Sequence, residues 1–255
     1  MAGLARAGLL ARGVLYGLIG IIAVQIALGT SHQQADRSGA LRLVAATRFG
    51  TVILWLLAIG FAGLTLWRLS EAAFGAAGPD GHKTSARLIC LVKAVIYGVL
   101  TYSILRYALG LGAPTSTNRQ SQDLTATALQ HQGGQAAVAI AGLIIGGVGL
   151  YLGYQAYKRT FLRDLRMGSA SPATRRAVTW FGQAGGLARG AVFLTVGVFL
   201  VVAAVEAKPG QAKGIDSALR ALADTPLGPW LLGLVAIGLV IFGVYSCCEA
   251  RWRQV

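Results

Sequence analysis

The sequence is poor in charged residues, in acidic residues above all, and in groups suited to catalysis or metal binding. Only 13% of the 255 residues are charged, about half the share typical of a soluble domain, and 9 acidic residues stand against 23 basic ones. The three cysteines lack CxxC spacing, and the three histidines are dispersed along the chain. HExxH, GxSxG and dinucleotide-binding patterns are absent from the sequence. We therefore expect neither an enzyme nor a metalloprotein, and no cofactor.

Proline is also scarce, and it is kept out of the apolar stretches. The six prolines stand at positions 79, 114, 172, 209, 226 and 229. Because proline removes a backbone donor and kinks a helix, this placement predicts unbroken helices between them. Glycine, by contrast, numbers 35 residues, about twice the average share. In lipid, glycine lets two helix backbones approach closely.

The most prominent feature of the sequence is a set of six long apolar runs. Hydrophobic residues make up 55% of the chain, and its mean hydropathy is +0.61. Each run has roughly 20 residues, about the length that a helix needs to cross a bilayer. The fold class predicted is an all-α membrane protein with six transmembrane helices, at about Leu9–Gly29, Val52–Phe74, Leu88–Leu111, Ala136–Tyr157, Gly185–Val205 and Trp230–Ala250.

The six runs belong to three copies of one unit. The motif of a cation, a small residue, two aliphatic residues and an aromatic occurs at Ala11–Tyr16, Val92–Tyr97 and Ala188–Phe193. Ala40–Gly50 also aligns without a gap to Ala218–Gly228. We predict three parallel two-helix repeats in a single membrane domain, at 1–80, 81–165 and 180–255. The first run resembles a signal peptide, but as a copy of the unit it is expected to be retained.

The connecting loops differ on the two sides of the membrane. Leu41, Val44 and Ala45 share one face of a short helix, so we predict amphipathic helices in the outer loops, while 115–132 is expected to be a polar loop. Of the 23 lysines and arginines, 15 lie on the side of the two termini. By the positive-inside rule both termini are expected in the cytoplasm, with the protein in the plasma membrane.

This arrangement resembles a known bacterial family. Its signature here is Ala-Arg-Gly-Val-x-Tyr, then Gly-Ala-Leu before Phe-Gly, then a span that ends Trp67-Arg68-Leu69-Ser70-Glu71-Ala72. The chain resembles the integral-membrane family catalogued as domain of unknown function 1206, which is common in actinobacteria. The resemblance implies a membrane fold and no particular activity. The second repeat departs most, since Lys93 replaces the arginine and no glutamate matches Glu71.

The repeats place three cations and two acids at one depth near the cytoplasmic ends of the spans. The charged layer consists of Arg12, Glu71, Lys93, Gln155, Arg189 and Glu249. Pairing within each hairpin predicts contacts between Arg12 and Glu71 and between Arg189 and Glu249. The alternatives are snorkelling to the headgroups and local pairs, Arg68 with Glu71 and Glu249 with Arg253. Lys93 then lacks an acid in its own hairpin, and in a threefold bundle it is expected to point inward, towards Glu71 or Glu249.

Glycines at helical spacing predict where the spans approach one another. The candidate packing glycines are Gly13, Gly17, Gly142, Gly146, Gly149, Gly153, Gly182, Gly186 and Gly190.

Two functions fit the sequence. The first is a six-helix bundle that binds or passes a small ion or solute, with Lys93 as the residue that touches an anion. The second is a non-catalytic structural or assembly subunit that binds a partner membrane protein, another copy of itself or anionic lipid. The net charge of +14 does not indicate nucleic acid, because the basic residues lie at the ends of apolar runs, where lipid headgroups lie.

Overall fold

The structure, a computed structural model, describes residues 2–31, 33–75, 82–168, 170–223 and 228–253, and it is built of helices. The long helices are α1 (Ala2–Ala27), α3 (Gly50–Phe74), α4 (Thr84–Ala108), α6 (Gly134–Tyr157), α7 (Pro172–Val205) and α9 (Gly228–Trp252). Within the described residues, these six are long and apolar enough to cross a membrane. The protein is a multi-pass membrane protein, and the predicted fold class is confirmed.

In the described part of the chain, three shorter α-helices each precede the second span of a repeat. They are α2 (Arg37–Ala45), α5 (Thr117–Leu129) and α8 (Ile215–Ala223). The helix α5 corrects the prediction of a polar loop at 115–132. The Ser116 hydroxyl accepts a hydrogen bond from the backbone N–H of Arg119 and caps this helix. This helix is too polar to show the apolar periodicity from which the other helices are predicted.

The helix α7 is also longer than predicted. It begins at Pro172 instead of near Gly185, with Ser171 as its N-cap and proline in its first turn. At 34 residues it measures about 51 Å, well beyond the ~30 Å hydrocarbon core. Its first turns, which carry Arg175 and Arg176, therefore extend past the apolar part of the span.

Packing contacts connect the six spans in the order α4, α3, α1, α9, α7, α6, and the segment that contains α5 joins the two ends of this series into a ring. Three joints connect the second span of one repeat to the first span of the next: α3 with α4, α6 with α7, and α9 with α1. Two further joints connect spans of the same repeat, α1 with α3 and α7 with α9. In the described residues α4 and α6, the spans of the second repeat, form no comparable packed face. The ring of helices therefore has one open joint, and the closed threefold bundle expected from the sequence is incomplete.

Glycines carry the joint between α6 and α7. A Cβ built on Gly149 would lie 2.5 Å from the backbone nitrogen of Leu194, and one on Gly142 would lie 2.9 Å from the carbonyl oxygen of Gly197. A Cβ on Gly190 would lie 2.8 Å from the carbonyl oxygen of Gly149. Because backbones touch here, a side chain at any of these positions would push the helices apart.

The other candidate glycines lie at the same joint or at neighbouring ones. A Cβ built on Gly13 would lie 2.8 Å from the carbonyl oxygen of Gly243, and one on Gly186 would lie 2.7 Å from the Cβ of Ala156. A Cβ built on Gly182 would crowd the Phe161 ring, whereas one on Gly146 would have ordinary contacts from 3.8 Å. Nothing lies within 4 Å of a Cβ on Gly17 or Gly153, although the backbones of these two residues meet Gly243 and Gly190 respectively.

The short helices meet at one end of the ring, called here the cap end. The Asp36 carboxylate caps α2 and accepts a hydrogen bond of 2.6 Å from the backbone N–H of Thr117, at the start of α5. The Asn118 side-chain oxygen accepts the backbone N–H of Gly214, just before α8, at 2.7 Å. The Asp216 carboxylate accepts the backbone N–H of Ala35, just before α2, at 2.8 Å. These three contacts form a cycle, the cap triangle, in which each short helix is bound to the next.

Candidate functional site

The charged layer lies at the opposite end, called here the terminal end because α1 begins and α9 finishes there. Arg12 and Glu249 are both buried, and their side chains form an ion pair. The Arg12 Nε also donates a hydrogen bond of 3.3 Å to the hydroxyl of Ser246, and its guanidinium lies 5.5 Å from the centre of the Phe242 ring. Arg12 is therefore held by α9, the last span, and not by the second span of its own repeat.

The predicted contacts of Arg12 with Glu71 and of Arg189 with Glu249 are wrong. Glu71 instead accepts a hydrogen bond of 2.5 Å from Arg68, one turn away on α3, and lies 3.6 Å from the Cys90 thiol on α4. The physical reason is the close joint between α9 and α1, where Gly13 and Gly243 let the two backbones touch. That approach brings Arg12 to the glutamate of the third repeat.

A second network extends the layer towards the terminal end. Arg253 pairs with Glu249 and, at 3.7 Å, with Asp164 of the loop that precedes α7. Its guanidinium also lies 5.1 Å from the centre of the Trp67 ring on α3. Burial by itself lowers the pKa of Arg253, but the carboxylates of Glu249 and Asp164 raise it above its ordinary value. Glu249 thus serves two arginines, and the local i, i+3 and i, i+4 spacing was the sequence signal for the Arg68 and Arg253 pairs.

Tyr97 of α4 was missed as a site residue by sequence reasoning. Its side chain packs against a buried core cluster that includes Ala188 of α7, and its hydroxyl interacts electrostatically with Arg12 on α1, Arg68 on α3 and Arg189 on α7. Since α4 is not adjacent to α1 or α7 in the ring, a side chain that reaches both must lie in the ring interior. The signal was present, because Tyr97 is the aromatic residue of the repeated motif.

The surroundings of Arg189 differ from those of its counterpart Arg12. Its guanidinium lies 5.1 Å from the ring centre of Phe242, 5.5 Å from that of Phe193 and 5.6 Å from that of Tyr16. Its Nε is buried without a hydrogen-bond partner. Among the described residues it has no ion pair, and cation–π contacts of this kind are worth only about 0.5–2 kcal/mol each. Arg189 is thus a cation within a membrane span and without a carboxylate.

Lys93 and Gln155 complete the layer. Lys93 is exposed, and no ion pair joins it to Glu71 or Glu249 in the part of the chain that the structure describes, so its predicted contact with those acids is wrong. The Gln155 amide donates a hydrogen bond of 2.8 Å to the Tyr151 hydroxyl on the same helix. Arg12 of the first repeat pairs with the glutamate of the third repeat, which precedes the first around the ring. By the same relation, the cation opposite Gln155 of the second repeat is Arg189 of the third repeat, and not Lys93.

Comparison with known proteins agrees with the repeat structure. The profile of the family described as Domain of Unknown Function (DUF1206) matches residues 7–75, 89–159 and 184–253, once in each repeat. The chain is also 26% identical over 254 residues to "Uncharacterized protein YxxB" of Bacillus subtilis (strain 168), covering 98% of this chain and 90% of that protein. No solved structure matches the chain significantly.

Proposed function

The chain belongs to the family described as Domain of Unknown Function (DUF1206), and from the geometry of its own residues we propose that it binds an anionic group. The ligand group is a phosphate or a carboxylate, and it is held within the ring of membrane-spanning helices at the charged layer. The binding is non-catalytic.

The observation that carries the proposal is the state of Arg189. A cation in a membrane span costs about 2.5–3.5 kcal/mol at the helix centre when nothing compensates it. Arg12 is compensated by Glu249, whereas the equivalent position facing Arg189 holds Gln155, which bonds within its own helix. A buried Nε without an acceptor adds a further cost. An anion from outside the chain supplies the negative charge that Arg189 lacks.

The chemistry of the surrounding groups suits a phosphate or carboxylate. Guanidinium is planar and presents five donors, a pattern that matches these anions in a bidentate manner. The Tyr97 hydroxyl lies in the same neighbourhood and can donate a further hydrogen bond. Across the layer, the five cations Arg12, Arg68, Lys93, Arg189 and Arg253 exceed the carboxylates that pair with them, those of Glu71, Glu249 and Asp164.

The cap triangle favours binding over passage. Its three hydrogen bonds join the starts of α2, α5 and α8 in a cycle at the far end of the ring. A solute that moved along the ring axis would have to break this cycle, and its carboxylates already satisfy the backbone donors they face. We therefore propose that the protein binds an anion at the charged layer and does not pass it along the ring axis.

A second candidate is a structural role at an anionic membrane surface or with a partner protein. The segment before α7 and the first turns of α7 carry exposed cations: Lys158, Arg159, Arg163, Arg166, Arg175 and Arg176. The Trp180 side chain near them is 58% exposed, as expected for a residue at the membrane interface. Such a basic surface would attract anionic headgroups by about 1 kcal/mol per cation.

We further propose that the protein lies in the plasma membrane with both termini in the cytoplasm. The terminal end holds the exposed basic segment and most of the chain's 23 lysines and arginines, and the positive-inside rule places such an end in the cytoplasm. The cap triangle then faces outward.

The anion site can be tested with purified protein in uncharged detergent, with inorganic phosphate and a short-chain phosphatidylglycerol as probes. We expect at least one probe to raise the unfolding temperature, since a ligand at 100 times its dissociation constant adds about 2.7 kcal/mol of stability. Arg189→Gln should weaken that binding at least tenfold, which is about 1.4 kcal/mol.

Arg106→Gln is the matched control, because this cation lies at the cap end and bonds to the carbonyl oxygen of Leu111. It should leave the response to the probes unchanged. Unfolding temperatures that respond to neither probe, or an equal response in Arg189→Gln and wild type, would contradict the proposal.

A further inference from the structure

The open joint between α4 and α6 is a lateral gap in the ring of helices. The equivalent joints of the first and third repeats, α1 with α3 and α7 with α9, are packed. Only 17% of the most apolar stretch of α4 and 22% of that of α6 is buried, against 56% for α1. The second repeat therefore leaves its two spans apart, with apolar faces on both sides of the opening.

The residues at this joint explain why it is open. In the first repeat, a Cβ built on Gly8 would lie 2.7 Å from the carbonyl oxygen of Gly60, so the two backbones touch. In the third repeat, the equivalent residues Gly185 and Gly238 lie as close to Phe242 and Ala188. The second repeat has isoleucine at both equivalent positions, Ile89 and Ile144.

These two isoleucines keep α4 and α6 from approaching closely. Without small residues, helices in lipid lose the close backbone contact that drives their association. Ile89 is 54% exposed and Ile144 is 60% exposed, so neither finds a partner across the joint. The gap therefore follows from the two isoleucines that the second repeat has in place of glycine.

The gap leads towards the cations that lack a carboxylate. Lys93 follows Ile89 by one helical turn on α4, and Tyr97 follows Lys93 by another. Tyr97 packs against the buried core cluster that includes Ala188, the neighbour of Arg189 on α7, and its hydroxyl interacts electrostatically with Arg189. A path along this face of α4 therefore begins among apolar side chains, passes an exposed ammonium group and ends at an unpaired guanidinium.

We propose that the anion bound at Arg189 belongs to a phospholipid, which enters sideways through the gap between α4 and α6. Its phosphate lies at Arg189, and its acyl chains extend from there between the apolar faces of α4 and α6 towards the middle of the bilayer. The inference rests on the proposed anion site and adds the ligand class and its route. Lipid is favoured over a soluble anion because the gap opens to hydrocarbon and its walls are apolar. A phosphate is favoured over a carboxylate because it offers more acceptor oxygens to the Arg189 guanidinium and the Tyr97 hydroxyl.

The test is native mass spectrometry of the full chain in uncharged detergent, with phosphatidylglycerol, phosphatidylcholine and inorganic phosphate as probes. The variant Ile89→Trp/Ile144→Trp fills the gap with large side chains. Its matched control, Ile59→Trp/Ile237→Trp, makes the same change on α3 and α9, where these isoleucines are 57% and 55% exposed. Arg189→Gln removes the guanidinium but leaves the gap open.

We expect wild type and the control to retain one phosphatidylglycerol at least tenfold more tightly than either other probe. The gap variant and Arg189→Gln should each lose most of that preference. If inorganic phosphate binds as tightly in an Arg189-dependent manner, or the gap variant keeps its lipid, the lipid route is wrong while the anion site stands. If no probe depends on Arg189, the proposed function fails as well. A dimer that the gap variant abolishes would show that a second copy fills the gap, and would also overturn the route.

Discussion

At the scale of single residues, the charged layer follows a rule that the repeat alignment alone does not contain. Each repeat contributes a cation from its first span and an acid or amide from its second, and Arg12 meets Glu249 of the preceding repeat around the ring. By that rule Glu71 belongs near α4, where it contacts Cys90, and Gln155 belongs near α7. One neutral residue, Gln155, therefore accounts for the unpaired state of Arg189.

The pair of Arg12 and Glu249 is expected to be energetically coupled. Removal of one partner of a buried pair leaves an uncompensated charge and costs about 3–5 kcal/mol. A double-mutant cycle with Arg12→Gln and Glu249→Gln, measured as the free energy of unfolding in mixed micelles, should therefore give a coupling energy of about 1 kcal/mol or more. The same cycle with Arg189→Gln and Glu249→Gln should give a value near zero. Equal coupling in the two cycles would show that the pairing is not the one described.

At the scale of helices, the repeats are held together differently at the two ends of the ring. The terminal end of α4 packs on α3, and α6 packs on α7, but the two do not pack on each other within the described residues. At the cap end the second repeat is bound to both neighbours through α5, by the contacts of Thr117 with Asp36 and of Asn118 with Gly214. The cap triangle thus supplies the connection that the open joint lacks.

Loss of the Asn118 side chain is expected to loosen this end selectively. Its oxygen accepts two backbone N–H groups, of Gly214 and Ser217, and its amide donates to the Ser217 hydroxyl at 2.6 Å. Asn118→Ala should cost about 1–3 kcal/mol because partly buried donors lose their acceptor. Hydrogen exchange should rise at the starts of α5 and α8 and stay low in α1 and α9.

The control on the same helix is Thr127→Ala, since the Thr127 hydroxyl bonds only to the carbonyl oxygen of Asp123 in its own helix. Exchange that rises equally in the two variants would mean that the cap triangle carries no special share of the stability.

At the scale of the whole molecule, the distribution of charge sets the orientation in the membrane. The cap end and the terminal end differ in basic residues, and the exposed segment before α7 carries most of the difference. With Cys90, Cys247 and Cys248 replaced by serine, Gln130→Cys at the cap end should react with a membrane-impermeant maleimide in intact cells. Ser171→Cys, just before α7, should react only after permeabilisation. The reverse pattern would place the termini outside.

The sequence by itself determined the number of spans, their approximate positions and the three repeats. Each of these depends on local properties: apolar length and the recurrence of a motif. The sequence did not predict the additional first turns of α7 or the helix α5, because neither segment is apolar. The serines that cap these helices, Ser171 and Ser116, are weak signals in a sequence.

Only the tertiary structure decided which helices touch. An alignment of repeats states which positions are equivalent, but it does not state whether the first span of a repeat packs on its own second span or on that of its neighbour. That choice depends on the shape of whole helix faces, here on Gly13 against Gly243 and on Gly149 against Gly190. The isoleucines at 89 and 144 became informative only once their glycine counterparts were seen in contact. For that reason the sequence indicated Lys93 alone as the unpaired cation, whereas the packing of α6 on α7 leaves Arg189 without a carboxylate as well, within the described residues.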